Sequence, residues 1–244
     1  MRSPLIVDTY AGDLDGKTDV AKLIAAGPPW HGWMAKATQG NYYSAASWFN
    51  PRWRVARETE RYGRDWFRAA YHYFDIRVDP LKQADHYLRA IEDAGGFGPG
   101  DLWPVVDVER AGQRGPIDAQ LVIDVVTKWT DKVKTATGRK VILYGGSFLR
   151  ELGIRDHMGC SLLWVARYTD TLPVTSYSSI GWNLDELFAW QYCGDGGGKL
   201  AGYPMTSPIG KVDVSVLTIA SGGAESLKYI KNHVLSDPAS KFCS

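Results

Sequence analysis

The fold is indicated by an apolar stretch near the middle of the chain, Leu102-Trp103-Pro104-Val105-Val106-Asp107-Val108-Glu109. Its length and its apolar composition are typical of a buried β-strand. Segments with helical periodicity flank it on both sides, at Pro80–Asp93 and Pro116–Thr137. Because apolar strands that alternate with amphipathic helices form parallel βα units, this stretch predicts an α/β protein.

The same alternation continues outward in both directions along the chain. The eight predicted strands are Leu5–Asp8, Gly32–Lys36, Arg68–Tyr73, Leu102–Val108, Lys140–Tyr144, Ser161–Ala166, Leu187–Tyr192 and Lys211–Val216. The predicted helices are Asp19–Ala26, Pro51–Tyr62, Pro80–Asp93 and Pro116–Thr137, with a short fifth helix at Phe148–Leu152. Pro51, Pro80 and Pro116 are each placed in a first helical turn, where the missing N–H of proline costs no hydrogen bond.

The pattern changes after the fifth strand, because residues 167–186 and 193–210 contain the Ser, Pro and Gly residues typical of loops. We therefore expect five βα units closed by three further strands, a single incomplete TIM-like barrel of the type (β/α)5(β)3. An open doubly wound sheet is the alternative, but no Gly-x-Gly-x-x-Gly motif follows the first strand. We expect the barrel to span residues 1–218. A C-terminal helix around Glu225–Val234 and a tail, within residues 219–244, are expected to pack on it.

The composition disfavours several classes of function. The 244 residues include 28 basic and 27 acidic ones without a basic block, which argues against nucleic acid as a partner. No apolar run approaches the ~20 residues of a membrane span. The five histidines lack the His-x-His and His-Glu-x-x-His spacings of metal sites, and no Gly-x-Ser-x-Gly elbow is present. Neither a metal nor another cofactor is predicted.

The cysteines and the N-terminus bear on where the protein is made. Cys160, Cys193 and Cys243 are odd in number and widely spaced, and we interpret them as free thiols. The chain passes from Met1 almost directly into the first predicted strand, without the apolar segment and cleavage site of a signal peptide. We expect a protein made in the cytosol, or a mature or excised piece of a longer one.

Carboxylates occur where the predicted strands end, which is where parallel barrels carry their chemistry. They are Asp8 on the first strand, Asp107 and Glu109 on the fourth, and Asp213 on the eighth. Asp107 and Glu109 are two residues apart, so on a strand they point to the same side, roughly 6.6–7 Å apart. Neighbouring carboxyls push their pKa values apart, which gives the protonated acid and ionised partner that glycosidic cleavage requires.

Aromatic residues are abundant, with ten Trp and thirteen Tyr, and aromatic rings can stack on sugars as well as fill a core. The residues predicted to line a groove around the carboxylates are Tyr71, Tyr144, Trp164, Tyr168 and Trp190. For Trp164 and Trp190, a place in the barrel core is an equal alternative. Lys36 either pairs with a strand-end carboxylate or caps the barrel, and His72 is interpreted as a hydrogen-bonded barrel residue rather than a base.

Eight stretches, in order, resemble the family 25 glycoside hydrolases, the muramidase-type lysozymes of bacteria, fungi and phages. They are Ile6-Val7-Asp8, Ala35-Lys36-Ala37-Thr38-Gln39-Gly40, Ala70-Tyr71-His72-Tyr73-Phe74, Val105-Val106-Asp107-Val108-Glu109, Val141-Ile142-Leu143-Tyr144, Leu163-Trp164-Val165-Ala166-Arg167-Tyr168, Trp190-Gln191-Tyr192 and Val212-Asp213-Val214. The resemblance implies a (β/α)5(β)3 barrel that cleaves the β-1,4 bond between N-acetylmuramic acid and N-acetylglucosamine in peptidoglycan. It also implies that Glu109 is the general acid, Asp107 its partner, and Asp8 and Asp213 supporting carboxylates.

The residues allow more than one mechanism. Asp107 either polarises the 2-acetamido group of the substrate or stabilises positive charge directly, and alternatively Asp8 or Asp213 activates water. The family often has a small residue where Tyr10 stands, and the acidic loop Asp13–Asp19 is interpreted as a turn that leads to an N-cap at Asp19.

The alternative functions are a chitinase-like glycosidase, disfavoured because Val105 replaces a needed carboxylate, and a non-catalytic barrel that binds wall polysaccharide as a virion attachment module. The expected partner is the peptidoglycan glycan strand, bound by a monomer that fits a phage endolysin or a virion-associated lysin.

Overall fold

The computed structural model describes residues 3–57, 66–98, 100–198 and 200–218, together with Lys228. Its strands are β1 (Leu5–Thr9), β2 (Trp30–Gln39), β3 (Tyr43–Ser44), β4 (Phe67–Tyr73), β5 (Val105–Asp107), β6 (Ile142–Gly145), β7 (Leu162–Ala166), β8 (Leu187–Gly194), β9 (Gly197–Gly198) and β10 (Asp213–Leu217). All eight predicted strands are present. The two short strands β3 and β9, which form hairpins with β2 and β8, were not predicted.

Eight of these strands form a closed ring in the order β1, β2, β4, β5, β6, β7, β8 and β10. The ring closes because β1 pairs in parallel with β2 on one side and antiparallel with β10 on the other. The pairs from β2 to β8 are parallel, so β10 alone in the ring runs in the opposite direction. The predicted barrel is confirmed, and the open sheet is excluded.

The helices are α1 (Val20–Ala26), α2 (Ala46–Arg57), α3 (Pro80–Asp93), α4 (Ala119–Thr137), α5 (Ser147–Glu151) and α6 (Thr175–Ser178). The first five follow the first five barrel strands, as the pattern predicts. Aspartate side chains cap three of them: Asp19, Asp79 and Asp118 accept hydrogen bonds from the first-turn N–H groups of α1, α3 and α4. The acidic loop before α1 therefore leads to the expected N-cap at Asp19.

Two helix starts were predicted wrongly. Helix α2 begins at Ala46, so Pro51 lies inside it rather than in its first turn. The buried rings of Trp48, Phe49 and Trp53 explain this difference, because they form one apolar face that begins before the proline. Helix α4 begins at Ala119 rather than Pro116.

The segment predicted as a loop between β7 and β8 contains α6 and a 3-10 turn at Leu184–Glu186. Cys160 and Cys193 are free and buried, as expected. Other predictions fall outside the described residues. They are the end of the second helix after Arg57, the C-terminal helix around Glu225–Val234 (apart from Lys228) with its tail, and the state of Cys243.

Apolar residues of the strands pack in two separate layers. The barrel interior contains side chains from every strand of the ring, including Ile6, Met34, Val105 and Leu162. The outer layer lies between the strands and the helices and contains Val126 and Trp129 of α4, among others. Successive residues of a strand point to opposite faces of the sheet. The layer in which an apolar residue lies therefore shows which way the polar residues next to it on the same strand point.

Candidate active site

Because side chains alternate in direction along each strand, several polar side chains point into the barrel at one of its ends. Asp8 follows the inward-facing Ile6 by two residues on β1, and Asp107 follows the inward-facing Val105 on β5. Both carboxylates therefore point inward, at the carboxyl ends of their strands. Asp8 is the register partner of Asp213 on the antiparallel strand β10, which brings a third carboxylate to the same end.

Glu109 lies two residues beyond β5, which ends earlier than the predicted strand. The N–H of Val108 still donates to the carbonyl of Tyr144 over 3.0 Å, so the chain stays against β6 up to the residue before Glu109. Glu109 is partly exposed and lines a cavity of about 300 Å³. Asp107 is deeper, with 6% of its surface exposed. Glu109 is thus the more accessible acid.

The two acids hold their protons more tightly than exposed carboxyls do. Burial raises the pKa of Asp107 well above its usual value, and the charge of Glu109 raises it further. Burial also raises the pKa of Glu109, with a second contribution from the charge of Asp213. Because the two groups interact, they titrate as a pair, and the pair keeps a proton to higher pH than exposed carboxyls do.

Asp8 and Asp213 are perturbed in the same direction. Burial, and then the charge of Asp213, raises the pKa of Asp8 well above its usual value. Its Oδ2 is enclosed and has no hydrogen-bond partner among the described residues. Burial raises the pKa of Asp213 to about 6, although a 2.9 Å hydrogen bond from the N–H of Asp195 opposes the rise. Asp13, in the turn after β1, also has its pKa raised to about 6, first by burial.

A chain of hydrogen bonds connects three of the inward-facing side chains. The Tyr144 hydroxyl donates to Oε1 of Gln191 over 2.5 Å, and Nε2 of Gln191 donates to Oδ2 of Asp213 over 2.6 Å. A hydrogen bond with Tyr144 also lowers the pKa of Glu109, against the effect of burial. A phenol has one proton, so Tyr144 donates either to Gln191 or to ionised Glu109. Gln191 and Tyr144 therefore couple Asp213 to Glu109.

Lys36 brings a positive charge to the same end of the barrel. Its Nζ donates to Oε1 of Gln39 over 2.7 Å. Burial lowers the pKa of Lys36, while the charges of Asp107 and Glu109 favour its cationic form. Three tyrosine rings surround the ammonium, with Nζ-to-centroid distances of 4.4 Å for Tyr73, 5.8 Å for Tyr43 and 6.0 Å for Tyr10. This arrangement holds the charge beside the carboxylates.

Three of the predicted groove aromatics face the barrel interior. They are Tyr71, Tyr144 and Trp164, all at most 9% exposed. Trp164 packs against Tyr144 with ring centroids 4.7 Å apart, and its Nε1 donates to Oγ of Ser215 over 2.9 Å. Trp164 is thus part of the barrel core beneath Tyr144, whereas Tyr168 is 50% exposed and lines the cavity with Glu109.

Trp190 and His72 lie in the outer layer, away from the carboxylates. Trp190 is buried there, and its Nε1 donates to the carbonyl of Arg167 over 2.6 Å. His72 stacks on Trp129 of α4 with ring centroids 5.4 Å apart, and its ring nitrogens hydrogen-bond with Thr38 and Gln83. Burial lowers the pKa of His72 to about 3, so the ring is neutral. The interpretation of His72 as a hydrogen-bonded barrel residue agrees with this placement.

Gln191, Asp13 and Tyr73 belong to the site but were not proposed from the sequence. Gln191 carried a signal, since it is a polar residue within an otherwise apolar strand. Asp13 and Tyr73 carried no such sequence signal, because only the fold brings Asp13 near Asp213 and Tyr73 near Lys36. In the described part of the chain, no group of three or more His, Cys, Asp or Glu side chains is arranged to hold a metal ion. No helix there has the length and apolar character to span a bilayer.

The family model described as "Glycosyl hydrolases family 25" matches residues 9–199, more than half of the chain. No curated protein matches the chain significantly. Solved structures with the same fold include a family 25 glycosyl hydrolase from Bacillus anthracis. It is 21% identical, the match covers 95% of this chain and 93% of that one, and the TM-score is 0.68.

Two further structures resemble the chain over almost their whole length. A family GH25 lysozyme from Aspergillus fumigatus is 16% identical, with 94% of this chain and 99% of that chain covered and a TM-score of 0.67. The catalytic domain of endolysin ply40, from bacteriophage P40 of Listeria monocytogenes, is 20% identical, with 94% and 97% covered and a TM-score of 0.61. At these identities the likeness shows a shared fold.

Proposed function

The chain belongs to the glycosyl hydrolases of family 25, and from that premise we propose that it is a lysozyme-type peptidoglycan hydrolase with Glu109 as its general acid. The bond cleaved is the β-1,4 linkage between N-acetylmuramic acid and N-acetylglucosamine. The observation that carries the proposal is the carboxyl pair at the barrel mouth, in which Glu109 lines the cavity and Asp107 lies behind it.

Glu109 protonates the glycosidic oxygen as the bond lengthens towards an oxocarbenium-like state. Its raised pKa supports this role, because a general acid must hold its proton near the working pH. When the proton of the pair is on Glu109, Asp107 is ionised and stabilises the positive charge that develops at the anomeric carbon, directly or through the 2-acetamido group of the substrate. Water then adds to the anomeric carbon and gives up a proton to Glu109, which restores the acid. Glu109, once deprotonated, can accept a hydrogen bond from Tyr144, which favours the product state of the acid.

Asp8, Asp213 and Lys36 tune the pair rather than react. In their ionised forms, the carboxyl groups of Asp213 and Asp8 add negative charge near the pair, which favours a positively charged transition state. Lys36 acts in the opposite sense and limits how far the pKa values of Asp107 and Glu109 rise. Tyr71 and Tyr168 are assigned to the groove, one at its floor and one at its rim, where rings contact sugars.

We propose that the protein acts as a monomer, because all of the residues assigned to the site lie on this one chain. The substrate lies in the bacterial cell wall. The likeness in fold to an endolysin catalytic domain supports a role as a phage endolysin or a virion-associated lysin.

The experiment that tests the function is identification of the sugar at the new chain ends. Purified peptidoglycan is digested, the new reducing ends are reduced with borohydride, and the sugar alcohols are analysed. Muramitol is the expected product. Glucosaminitol would move the cut to the other glycosidic bond, and the absence of new ends would favour a barrel that binds wall polysaccharide without cleaving it.

A further inference from the structure

Three arginines line the cavity beside Glu109. Arg110 directly follows Glu109, Arg150 lies on α5, and Arg167 directly follows β7. Glu109 is the single acidic residue in the lining, and no carboxylate of the described residues forms a salt bridge with any of the three arginines. The cavity therefore carries a net positive charge, although the barrel mouth next to it is rich in carboxyl groups.

The fold holds this cavity in shape. The guanidinium carbon of Arg110 lies 4.7 Å from the centroid of the Phe148 ring, so a cation–π contact keeps Arg110 at the wall. Gly146 lets the chain before α5 pack closely on β7, since a Cβ there would lie 2.9 Å from the carbonyl oxygen of Ala166. The peptide N–H of Arg167 donates to the carbonyl of Gln191 over 2.9 Å.

We propose that this cavity binds a carboxylate carried by the muramic acid residue whose glycosidic bond is cleaved, an inference that rests on the proposed function. Guanidinium groups recognise carboxylates through charge-assisted hydrogen bonds. The N-acetylated sugar rings of the glycan strand are neutral, so its carboxylates lie on the lactyl ether of muramic acid or on the attached peptide. That lactyl group is within one sugar ring of the oxygen that Glu109 protonates.

The site would make the enzyme selective for acidic wall glycan over neutral glycan of the same backbone. A carboxylate between Arg150 and Arg167 would also fix the muramic acid ring beside Glu109. The two sources of the carboxylate are a bare lactyl group, present where the peptide has been removed, and the first carboxylate of an attached peptide.

The test compares three glycan substrates. Strands stripped of peptide by an amidase carry a free lactyl carboxylate, carbodiimide coupling of these strands to methylamine neutralises it, and a third set keeps its peptides. The measurement is kcat/KM from the release of reducing ends. At low salt we expect the wild type to favour carboxylate strands over methylamide strands about tenfold, the size of one charge-assisted hydrogen bond. High salt should narrow this ratio.

Variants of the cavity arginines test whether the preference for carboxylate strands arises in the cavity. We expect R150Q and R167Q each to reduce the ratio between carboxylate and methylamide strands about threefold, since Arg150 is partly exposed and Arg167 is exposed. The matched control R54Q removes an exposed arginine of α2, outside the cavity, and should keep the wild-type ratio. Thermal unfolding of each variant checks that the fold is intact.

Each outcome decides between the alternatives. If bare carboxylate strands are cleaved faster than methylamide strands, the bound carboxylate is that of the lactyl group. If only the peptide-bearing strands are cleaved faster than methylamide strands, the bound carboxylate is that of the peptide. Equal cleavage of all three substrates by the wild type overturns the anion site but leaves the proposed function standing. A ratio between carboxylate and methylamide strands that stays at the wild-type value in both arginine variants also overturns it. Failure to cleave any strand contradicts the proposed function itself.

Discussion

Gln191 donates a hydrogen bond from Nε2 to Oδ2 of Asp213 over 2.6 Å. The same side chain accepts a hydrogen bond from Tyr144, so one amide sets the orientation of a carboxylate and of a phenol that contacts the proposed acid. Gln191 is a positioning residue and takes no part in the reaction itself. It positions Asp213 and favours its ionised form, because its hydrogen bond lowers the pKa of Asp213 against the effect of burial.

Replacing Gln191 with leucine should therefore move the acidic limb of the pH–activity profile. Without the hydrogen bond, the pKa of Asp213 rises above about 6, so Asp213 becomes protonated, and activity is lost, at higher pH. We expect a shift of about one pH unit, from one hydrogen bond to a charged group. The control Gln120→Leu removes a comparable Gln–Asp hydrogen bond, of 2.7 Å to Asp124, on the exposed face of α4. An unchanged acidic limb in Gln191→Leu would contradict the positioning role.

Lys36→Met should move the alkaline limb. The charge of Lys36 lowers the pKa values of Asp107 and Glu109, so its removal raises both, and Glu109 keeps its proton to higher pH. A shift of about one unit is expected for a charge this close in a partly buried site. Lys22→Met, on the exposed face of α1, is the matched control and should leave the profile unchanged. A shift to lower pH would show that Lys36 does not act through these acids.

The sequence predicted the barrel well because most of its strands are buried on both faces. Such strands are apolar runs, and the polar residues Asp8 and Asp107 stand out at their ends. Because such strands are buried on both faces, their sequences do not show which way individual side chains point. Every residue from Leu187 to Cys193 is buried, so alternation within this run could not show that Trp190 faces the helices while Gln191 faces the barrel interior.

Other features depend on contacts that are remote in sequence. The start of α2 follows the packing of Trp48 and Phe49 rather than the local preference of Pro51. Arg110, Arg150 and Arg167 come from three separate connections, and their convergence beside Glu109 follows from the order of the strands in the ring.

The buried carboxyls should make the protein less stable as the pH rises. The pKa of Asp8 is raised above its usual 3.8, so between pH 4 and its folded-state pKa the folded chain binds more protons than the unfolded chain. Stability falls with pH in that interval. Asp8→Asn removes this titration, and we expect a smaller fall in Tm between pH 5 and pH 8 than in the wild type. Each unit of pKa difference corresponds to about 1.4 kcal/mol, or roughly 2–4 °C in Tm.

Thermal unfolding at several pH values, followed by circular dichroism, measures this effect. Asp170→Asn, in the exposed loop after β7, is the control and should show the wild-type dependence on pH. A Tm of Asp8→Asn that falls with pH as steeply as that of the wild type would mean that Asp8 is not held protonated by the fold.

Turnover of purified peptidoglycan by Glu109→Gln tests most directly whether Glu109 is the general acid. The substitution keeps the shape of the side chain and removes its proton, so kcat should fall by the ~10²–10⁴-fold typical of a lost general acid, with no loss of thermal stability. Glu92→Gln, exposed on α3, should retain full activity. If Glu109→Gln instead releases reducing ends at a rate within a few-fold of wild type, the proton comes from another group, and the assignment of Glu109 as the acid is wrong.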